Sequence, residues 1–177
     1  MSKQDTPYDK HPISEQSIAT NGEAAVTRWS DALTQLEQAH KFWLATVNVD
    51  GTPHVMPIFS VWLDGHLYFT AAPASRKAQN MVENPHVVIT TTGKTLDLVV
   101  EGEAKKITDE DTLKRVAEVY ASKYDWHITP HDGAYDAPYG APAAGLPPYE
   151  LYQVHLSKVI TPGSSAEPYG ATRWLFS

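Results

Sequence analysis

Three consecutive residues, Ser75, Arg76 and Lys77, stand where a predicted strand passes through a short loop into a predicted helix. The first N–H groups of a helix have no partner within the helix and carry partial positive charge, so this end attracts anions. Acidic residues are the usual choice in a first turn, whereas here a serine at the cap precedes two cations. We therefore interpret this sequence as the phosphate-binding end of a cofactor site. An ordinary capped surface helix is the alternative that the local sequence leaves open.

Two histidines suggest metal binding at first sight. His127 and His131 are four residues apart and Asp132 is adjacent to the second of them. Pro130 interrupts the helix that would place both histidines on one face, and the spacing supplies no third ligand, so we predict no metal site. The segment is interpreted as a loop that packs over a pocket, together with its aromatic residues Trp126, Tyr135 and Tyr139.

The sequence assigns no catalytic residue to the protein itself. It contains no cysteine and no nucleophile-elbow pattern, and its carboxylates cluster on predicted surface helices. Difficult chemistry would then be supplied by a bound cofactor.

The composition limits the classes of partner. A formal net charge of −7 argues against a nucleic-acid partner, because neutralising phosphates requires a dense basic face. There is no apolar run of roughly 18 residues and no signal-sequence pattern, so we expect no membrane partner and a cytoplasmic location. A hydrophobic content of 42% and a charged content of 20% are typical of a globular protein.

Hydrophobic periodicity divides the chain into a flexible arm over residues 1–22 and one domain over residues 23–177. The domain is predicted to begin with a helix from residue 23, whose buried face carries Val26, Trp29, Leu33 and Leu36. Residues 125–148 are rich in proline, glycine, alanine and aromatic residues, and are predicted to form a long structureless loop.

Alternating segments between these regions predict a small antiparallel barrel. The predicted strands cover residues 42–49, 53–62, 66–70, 86–92, 96–106, 149–160 and 172–176, and the other predicted helices cover residues 75–83 and a segment beginning near Thr108. The dipeptides Asp50-Gly51 and Asp64-Gly65 are hairpin signals and predict that the first three strands form a meander.

Several of these segments also follow one another in a recognisable order: residues 42–49, 50–51, 53–57, 68–70, 75–78, 83–85 and 99–104. This order resembles the pyridoxamine 5′-phosphate oxidase-like, FMN-binding split-barrel superfamily. The ending over residues 170–174 is similar to that of an uncharacterised branch near the F420-dependent oxidoreductases. The resemblance implies a mainly β, six- to seven-stranded antiparallel split barrel with flanking helices. It also implies a homodimer with a cofactor in each subunit interface.

The resemblance implies roles for individual residues. Ser75, Arg76 and Lys77 would hold the cofactor phosphate, and Thr70 would lie near the ribityl chain. Asp97 of the partner subunit would approach the polar edge of the ring; the family oxidase commonly has glutamine there.

Two further segments are implied to lie near the cofactor ring. Four successive residues would flank it with backbone and side chains: His54, Val55, Met56 and Pro57. Near the end of the chain, Arg173 and Trp174 could cover the cofactor or seal the dimer.

The implied function is an oxidoreductase that uses FMN, or alternatively F420, to transfer a hydride to or from a small organic substrate. The basic terminal segment that grips substrate phosphate in the true oxidase has no counterpart here, so pyridoxamine phosphate is not the expected substrate. F420 ends in an acidic tail, for which the acidic chain offers only Lys94, Lys105 and Lys106, and this favours FMN. A non-catalytic flavin or haem carrier on the same barrel is the alternative from another class.

Overall fold

The computed structural model describes residues 10–20, 25–138, 145–164 and 169–177. Within them the chain forms eleven strands and three helices. In chain order these are β1 (Ser14–Ser17), α1 (Trp29–Gln38), β2 (Phe42–Val47), β3 (Pro53–Ile58), β4 (Ser60–Leu63), β5 (His66–Ala71), α2 (Arg76–Glu83), β6 (His86–Thr92), β7 (Asp97–Ile107), α3 (Glu110–Tyr124), β8 (Thr129–His131), β9 (Ala134–Asp136), β10 (Glu150–Thr161) and β11 (Thr172–Leu175).

Nine strands form one antiparallel sheet, which follows the order β1-β11-β10-β7-β6-β2-β3 and branches at β10. One edge of β10 pairs with β7, while the other pairs first with β5 over residues 150–154 and then with β11 over residues 158–161. Strand β4 joins through β5. The predicted mainly β, antiparallel barrel is therefore confirmed, although it has more strands than the six or seven expected.

A break at Phe59 accounts for one of the additional strands. Residues 53–62 were expected to form one strand of a three-stranded meander, and this prediction is wrong: β3 pairs with β2, whereas β4 pairs with β5. Side chains of α3 satisfy the backbone at the break. The Tyr124 hydroxyl donates to the Ser60 carbonyl at 2.8 Å and accepts from the Ser60 N–H at 3.3 Å, and Tyr120 donates to the Phe59 carbonyl at 3.2 Å. These bonds satisfy the Ser60 N–H and the carbonyls of Phe59 and Ser60 at the point where the chain passes from one part of the barrel to the other.

The predicted N-terminal arm is partly ordered. Ser14–Ser17 form β1, which pairs with β11, so the prediction of a flexible arm is wrong for these residues; residues 1–9 and 21–22 lie outside the described part. Backbone pairing along an open strand edge requires no apolar pattern, which is why the polar sequence was misleading. Helix α1 begins at Trp29 rather than at residue 23. Arg28 before it is extended, and Thr27 is anchored near the other end of the chain because its hydroxyl donates to the Gly170 carbonyl at 2.8 Å.

The segment over residues 125–148 contains a hairpin, so the prediction of a structureless loop is wrong for the described residues of this segment. Strands β8 and β9 pair across the turn Asp132-Gly133, in which both residues have positive φ, 49° and 75°. Such turns favour Asp-Gly, the dipeptide that was used as a hairpin signal at two other places in the sequence but not here. Residues 139–144, including Tyr139, lie outside the described residues.

The core is divided into two clusters. The larger lies inside the barrel against α1 and contains Trp29, Trp62, Trp174 and Phe176; the ring centroid of Trp29 is 5.1–6.2 Å from those of the other three. The smaller packs α3 against β4, β5 and the start of β10. None of the helices within the described residues is long and apolar enough to cross a membrane.

Candidate functional site

A cleft of about 500 Å³ opens where β2, β3 and β5 meet the first turn of α2. Its lining includes the polar residues Lys41, Thr70 and Lys77 and the aromatic residues Trp43, Phe59 and Trp126. The strand-to-helix connection explains the position of Lys77. Strand β5 ends at Ala71 and α2 begins at Arg76, so a short loop places Lys77 beside Thr70 and Ala71 in the lining of the cleft. The cleft therefore combines a cation with flat apolar walls.

Lys77 is the most unusual residue of this cleft. Only 7% of it is exposed, and within the described residues its ammonium group has no hydrogen-bond or ion-pair partner. Burial lowers its pKa from the ordinary lysine value, because removal from water disfavours the charged form. The Nζ of Lys77 is not among the fully buried unpaired side-chain atoms, so the ammonium group opens to the cleft, where a bound anion would offset the desolvation of its charge.

The neighbouring residues build a helix start that can accept an anion. Ser75 caps α2, since its side chain accepts a hydrogen bond from the N–H of Ala78 at 3.4 Å. The predicted helix is thereby confirmed, with Arg76 as its first residue. Arg76 is exposed, and its charge helps to lower the pKa of Asp50, a shift caused mainly by the hydrogen bond from the Thr52 hydroxyl. The guanidinium thus lies within electrostatic range of the β2–β3 turn.

The predicted ring-flanking segment is only partly brought to the cleft. Pro57 lines the cleft near the end of β3, whereas the three residues before it in the strand, His54, Val55 and Met56, do not line the cleft. The pleat places Val55 on the exposed face with Pro57 and turns His54 and Met56 towards the opposite, half-buried face. His54 approaches the hydroxyl of Thr46, with 3.5 Å between Nδ1 and Oγ1.

The two remaining predicted residues lie away from the cleft. Asp97 is exposed at the start of β7, opposite Thr92, and its predicted approach to a partner subunit's cofactor stays a prediction. Trp174 has no exposed surface, packs against Trp29 and does not line the cleft, and its predicted contact with a cofactor stays a prediction. Arg173 beside it donates to the Gln16 side chain at 2.6 Å and thereby ties β11 to β1.

The sequence interpretation missed Lys41, Trp43 and Phe59 in the cleft. Trp43 and Phe59 are large apolar residues that remain 49% and 45% exposed, a signal that only the structure supplies. Trp126 was expected to pack over the pocket and does line the cleft, whereas Tyr135 is fully buried in the smaller core and donates to the Leu113 carbonyl.

The two histidines of the hairpin region pair with neighbouring carboxylates. His127 Nε2 lies 3.0 Å from Asp125 and His131 Nε2 lies 3.3 Å from Asp132. Among the residues that the structure describes, no group of three or more potential ligands is placed to hold a metal ion.

A second lysine with an altered pKa adjoins the cleft through Phe42. The Nζ of Lys123 lies 5.0 Å from the centroid of the Phe42 ring and donates to the Ser60 carbonyl at 3.1 Å. Burial lowers its pKa to about 8, with a smaller opposing contribution from Glu37. The neutral form of this lysine is therefore accessible in the folded protein at mildly alkaline pH.

This shift predicts that the contribution of Lys123 to the free energy of unfolding rises between pH 8 and pH 10. In this window the unfolded chain keeps Lys123 protonated while the folded chain releases its proton, so raising the pH favours folding. Lys77, whose pKa is also lowered, acts in the same direction, whereas the buried tyrosines, whose pKa values are raised, oppose both lysines as the pH approaches 10, because tyrosines in the unfolded chain then begin to ionise. After allowance for solvent screening, Lys123 should contribute about 1 kcal/mol.

Urea unfolding at pH 8, 9 and 10 measures this effect. Lys123→Met should reduce the rise, whereas Lys114→Met, which alters an exposed lysine of the same helix, should leave it unchanged. Equal rises in the wild type and Lys123→Met would contradict the prediction.

The fold and this cleft together define a small antiparallel split barrel with a helix N-terminus and a buried lysine at one cleft. The family model described as pyridoxamine 5′-phosphate oxidase matches residues 30–161, well over half of the chain. The chain therefore belongs to the pyridoxamine 5′-phosphate oxidase family, as the resemblance predicted.

Individual relatives are distant. A pyridoxine/pyridoxamine 5′-phosphate oxidase of Crocosphaera subtropica is 27% identical over 112 residues, which make up 60% of this chain and 52% of the relative. The chain thus spans about half the length of the curated relative that it matches.

Solved structures confirm the fold. An F420 reductase superposes with a TM-score of 0.53 at 24% identity, over 71% of this chain and 93% of the other. General Stress Protein 26 from Bacillus anthracis superposes with a TM-score of 0.57 at 20% identity, over 76% and 94%. At these identities the likeness establishes the shared fold.

Proposed function

We propose that this protein is an FMN-dependent oxidoreductase that transfers a hydride between the cofactor and a small apolar or conjugated substrate. The observation that carries the proposal is Lys77, a buried cation without a partner among the described residues, which lines a cleft beside a helix N-terminus. A phosphate monoester is an anion of the size and charge that this arrangement favours. Membership of the pyridoxamine 5′-phosphate oxidase family supports the same cofactor class.

The residues present fit the phosphate of FMN. The first turn of α2 offers unpaired N–H groups, and Lys77 lines the cleft with a cation that can form charge-assisted hydrogen bonds to a phosphate. Arg76 is exposed and can reach an external oxygen, with a planar group that binds two acceptors at once. Ser75 keeps this turn in place as its cap.

The rest of the cleft suits a flat ring system. Pro57, Trp43 and Phe59 provide apolar surface near the ends of β2 and β3, and Trp126 adds a further aromatic wall. Such walls hold a planar ligand by stacking and exclude water from it. When bound, FMN supplies a ring that accepts or donates a hydride. The aromatic lining favours substrates that are themselves apolar or conjugated, rather than a second phosphate ester.

The described cations favour FMN over F420. Lys106, one of the lysines that could meet an acidic tail, is bound to the Glu150 carboxylate. That carboxylate also accepts from the Tyr152 hydroxyl at 2.7 Å, so the lysine is held in a small network. Lys41 at the cleft is the cation that best supports the F420 alternative.

The proposed active unit is a homodimer with the cofactor at the interface. The outer face of β2 and β3 is apolar and exposed; Trp43, Val47 and Val55 are 49%, 37% and 52% exposed. A contiguous apolar face of this kind is characteristic of an interaction surface. Because Trp43 belongs to both this face and the cleft, a partner subunit covering the face would also close the cleft, and Asp97 of the partner could then approach the ring.

The test is the visible absorption spectrum of the purified protein, followed by separate titrations with FMN, riboflavin and F420. We expect saturable FMN binding, weaker riboflavin binding because riboflavin lacks the phosphate, and oxidation or reduction of bound FMN by small conjugated substrates. Tight F420 binding with weak FMN binding would assign the protein to the deazaflavin alternative. Haem bands without turnover would favour the carrier, and binding of none of these ligands would overturn the proposal.

A further inference from the structure

Asn80 is a buried amide on α2 whose side chain bonds to a different element of the fold. It is 1% exposed. Its Nδ2 donates to the Thr46 hydroxyl at 3.0 Å and to the Asn48 side-chain oxygen at 2.9 Å. Both N–H groups of the amide are thereby used. A buried amide bonded in this way permits one orientation of the helix against the strand, because any other leaves donors unpaired.

The two acceptors belong to a well-fixed hairpin. Thr46 is 2% exposed in β2 and approaches His54 of β3. Asn48 begins the turn between these strands, where its side chain donates to the Thr52 hydroxyl at 3.0 Å and its carbonyl accepts from the Gly51 N–H at 2.8 Å. The amide of Asn80 therefore attaches α2 to the hairpin that also carries Trp43 and Pro57 of the cleft.

The attachment point lies directly below the anion-accepting turn. Asn80 follows Arg76 by four residues and Lys77 by three, so all three lie on neighbouring positions of the helix surface. Lys77, Ala78, Asn80 and Met81 form the buried face of α2. A small rotation of the helix about this face would displace the Lys77 ammonium group and the first N–H groups together.

We propose that Asn80 is a positioning residue, which locks α2 onto the β2–β3 hairpin and so fixes Lys77 and the first turn at the place where the cofactor phosphate binds. The nature of the anion rests on the proposed function. The attachment of α2 to the hairpin by Asn80 does not rest on the proposed function, because it is present in the ligand-free protein as well.

The test compares Asn80→Ala with Thr46→Val, which removes one of the two acceptors at nearly constant shape. The matched control is Thr27→Val, which removes another buried hydroxyl hydrogen bond, to Gly170, remote from α2. Kd values for FMN and for riboflavin, urea unfolding and amide hydrogen exchange of α2 are measured for each protein. Loss of two hydrogen bonds predicts that Asn80→Ala raises the Kd for FMN about 10-fold. The Kd for riboflavin should change less than about twofold, since the ring walls remain in place.

A double variant distinguishes an effect of the Asn80 hydrogen bonds from an effect of lower overall stability. Thr46→Val combined with Asn80→Ala should bind FMN no more weakly than Asn80→Ala alone, because the shared bond is already lost. Exchange should become faster in α2 and stay unchanged in β7 and β10. The control should lose stability without any change in the ratio of the FMN and riboflavin Kd values.

Other results would overturn the inference. Equal weakening of FMN and riboflavin binding, or α2 exchange no faster than in Thr27→Val, would show that Asn80 acts only on overall stability. If wild-type protein binds FMN no better than riboflavin, the proposed phosphate site fails, and hydrogen exchange alone then decides the role of Asn80. Faster exchange confined to α2 would retain the positioning role, and unchanged exchange would remove it.

Discussion

Replacing Lys77 with methionine is expected to raise the Kd for FMN roughly 10- to 100-fold and, at the same time, to make the ligand-free protein more stable. The two effects have one cause. Lys77 is 7% exposed and has no counter-charge among the described residues, so its charge costs free energy when the cleft is empty and is neutralised when a phosphate binds. Methionine keeps the unbranched apolar stem and removes the charge. Titration with FMN and urea unfolding of the same preparation measure both effects.

The control for this experiment is Lys158→Met. The side chain of Lys158 is 30% exposed and pairs with Glu101 at 2.8 Å, between β10 and β7, so its loss removes a partly buried cation outside the lining of the cleft. FMN binding should be unchanged in this variant. Riboflavin binding should be insensitive to both substitutions, because riboflavin has no phosphate for Lys77 to contact. Lys77→Met with unaltered FMN affinity would contradict the assignment of Lys77 to the phosphate, however the stability changes.

Local signals explain which elements were predicted correctly. The helix α2 follows from Ser75 at its cap and from Asn84-Pro85 at its end, and it lies within one residue of the predicted bounds. Strand β6 covers the predicted residues 86–92. These signals depend on a few adjacent residues, so they survive in any tertiary context.

Features that depend on distant residues could not be predicted. The break at Phe59 interrupts a continuous strand pattern, and it is stabilised by hydroxyl groups of Tyr120 and Tyr124 some 60 residues further along the chain. Pairing of the polar strand β1 with β11 likewise joins the two ends of the described chain. No periodicity within a segment reports a partner of this kind.

In the candidate site too, residues with a local sequence signal were predicted and residues placed by distant contacts were not. Lys77 could be recognised because its neighbours form a helix start with an unusual charge pattern, and Thr70 precedes it at the end of a strand. Lys41 and Phe59 could not be recognised, because each lies just outside a regular strand and reaches the cleft only through the packing of β2 against β3. Trp174 was assigned to the cofactor because it lies near the end of the chain, where burial was not anticipated.

Truncation of Trp174 to alanine is expected to lower the free energy of unfolding by about 3–5 kcal/mol. The side chain is completely buried and its ring lies 5.7 Å from that of Trp29, which also contacts Phe176 at 5.1 Å, so its removal leaves a large cavity among aromatic rings. For a domain of this size the loss corresponds to a fall in Tm of roughly 10 °C. Thermal unfolding of the ligand-free protein measures it, and Trp174→Phe, with a smaller cavity, provides a folded variant if the alanine variant does not fold.

Trp43→Ala is the counterpart that distinguishes packing from cofactor contact. Trp43 is 49% exposed and lines the cleft, so its truncation should cost less than about 1 kcal/mol of stability while weakening FMN binding and the proposed dimer. The two tryptophans should therefore show opposite patterns. The Trp174 variants should lose stability and keep their affinity for FMN, whereas Trp43→Ala should lose affinity for FMN and keep its stability. If Trp174→Phe instead weakened FMN binding at unchanged stability, the indole would contact the cofactor, and the terminal strand would have to leave the core when FMN binds.

The opposite patterns are expected because a side chain with no exposed surface acts through the packing of the barrel, whereas a half-exposed one in the cleft can contact a ligand directly.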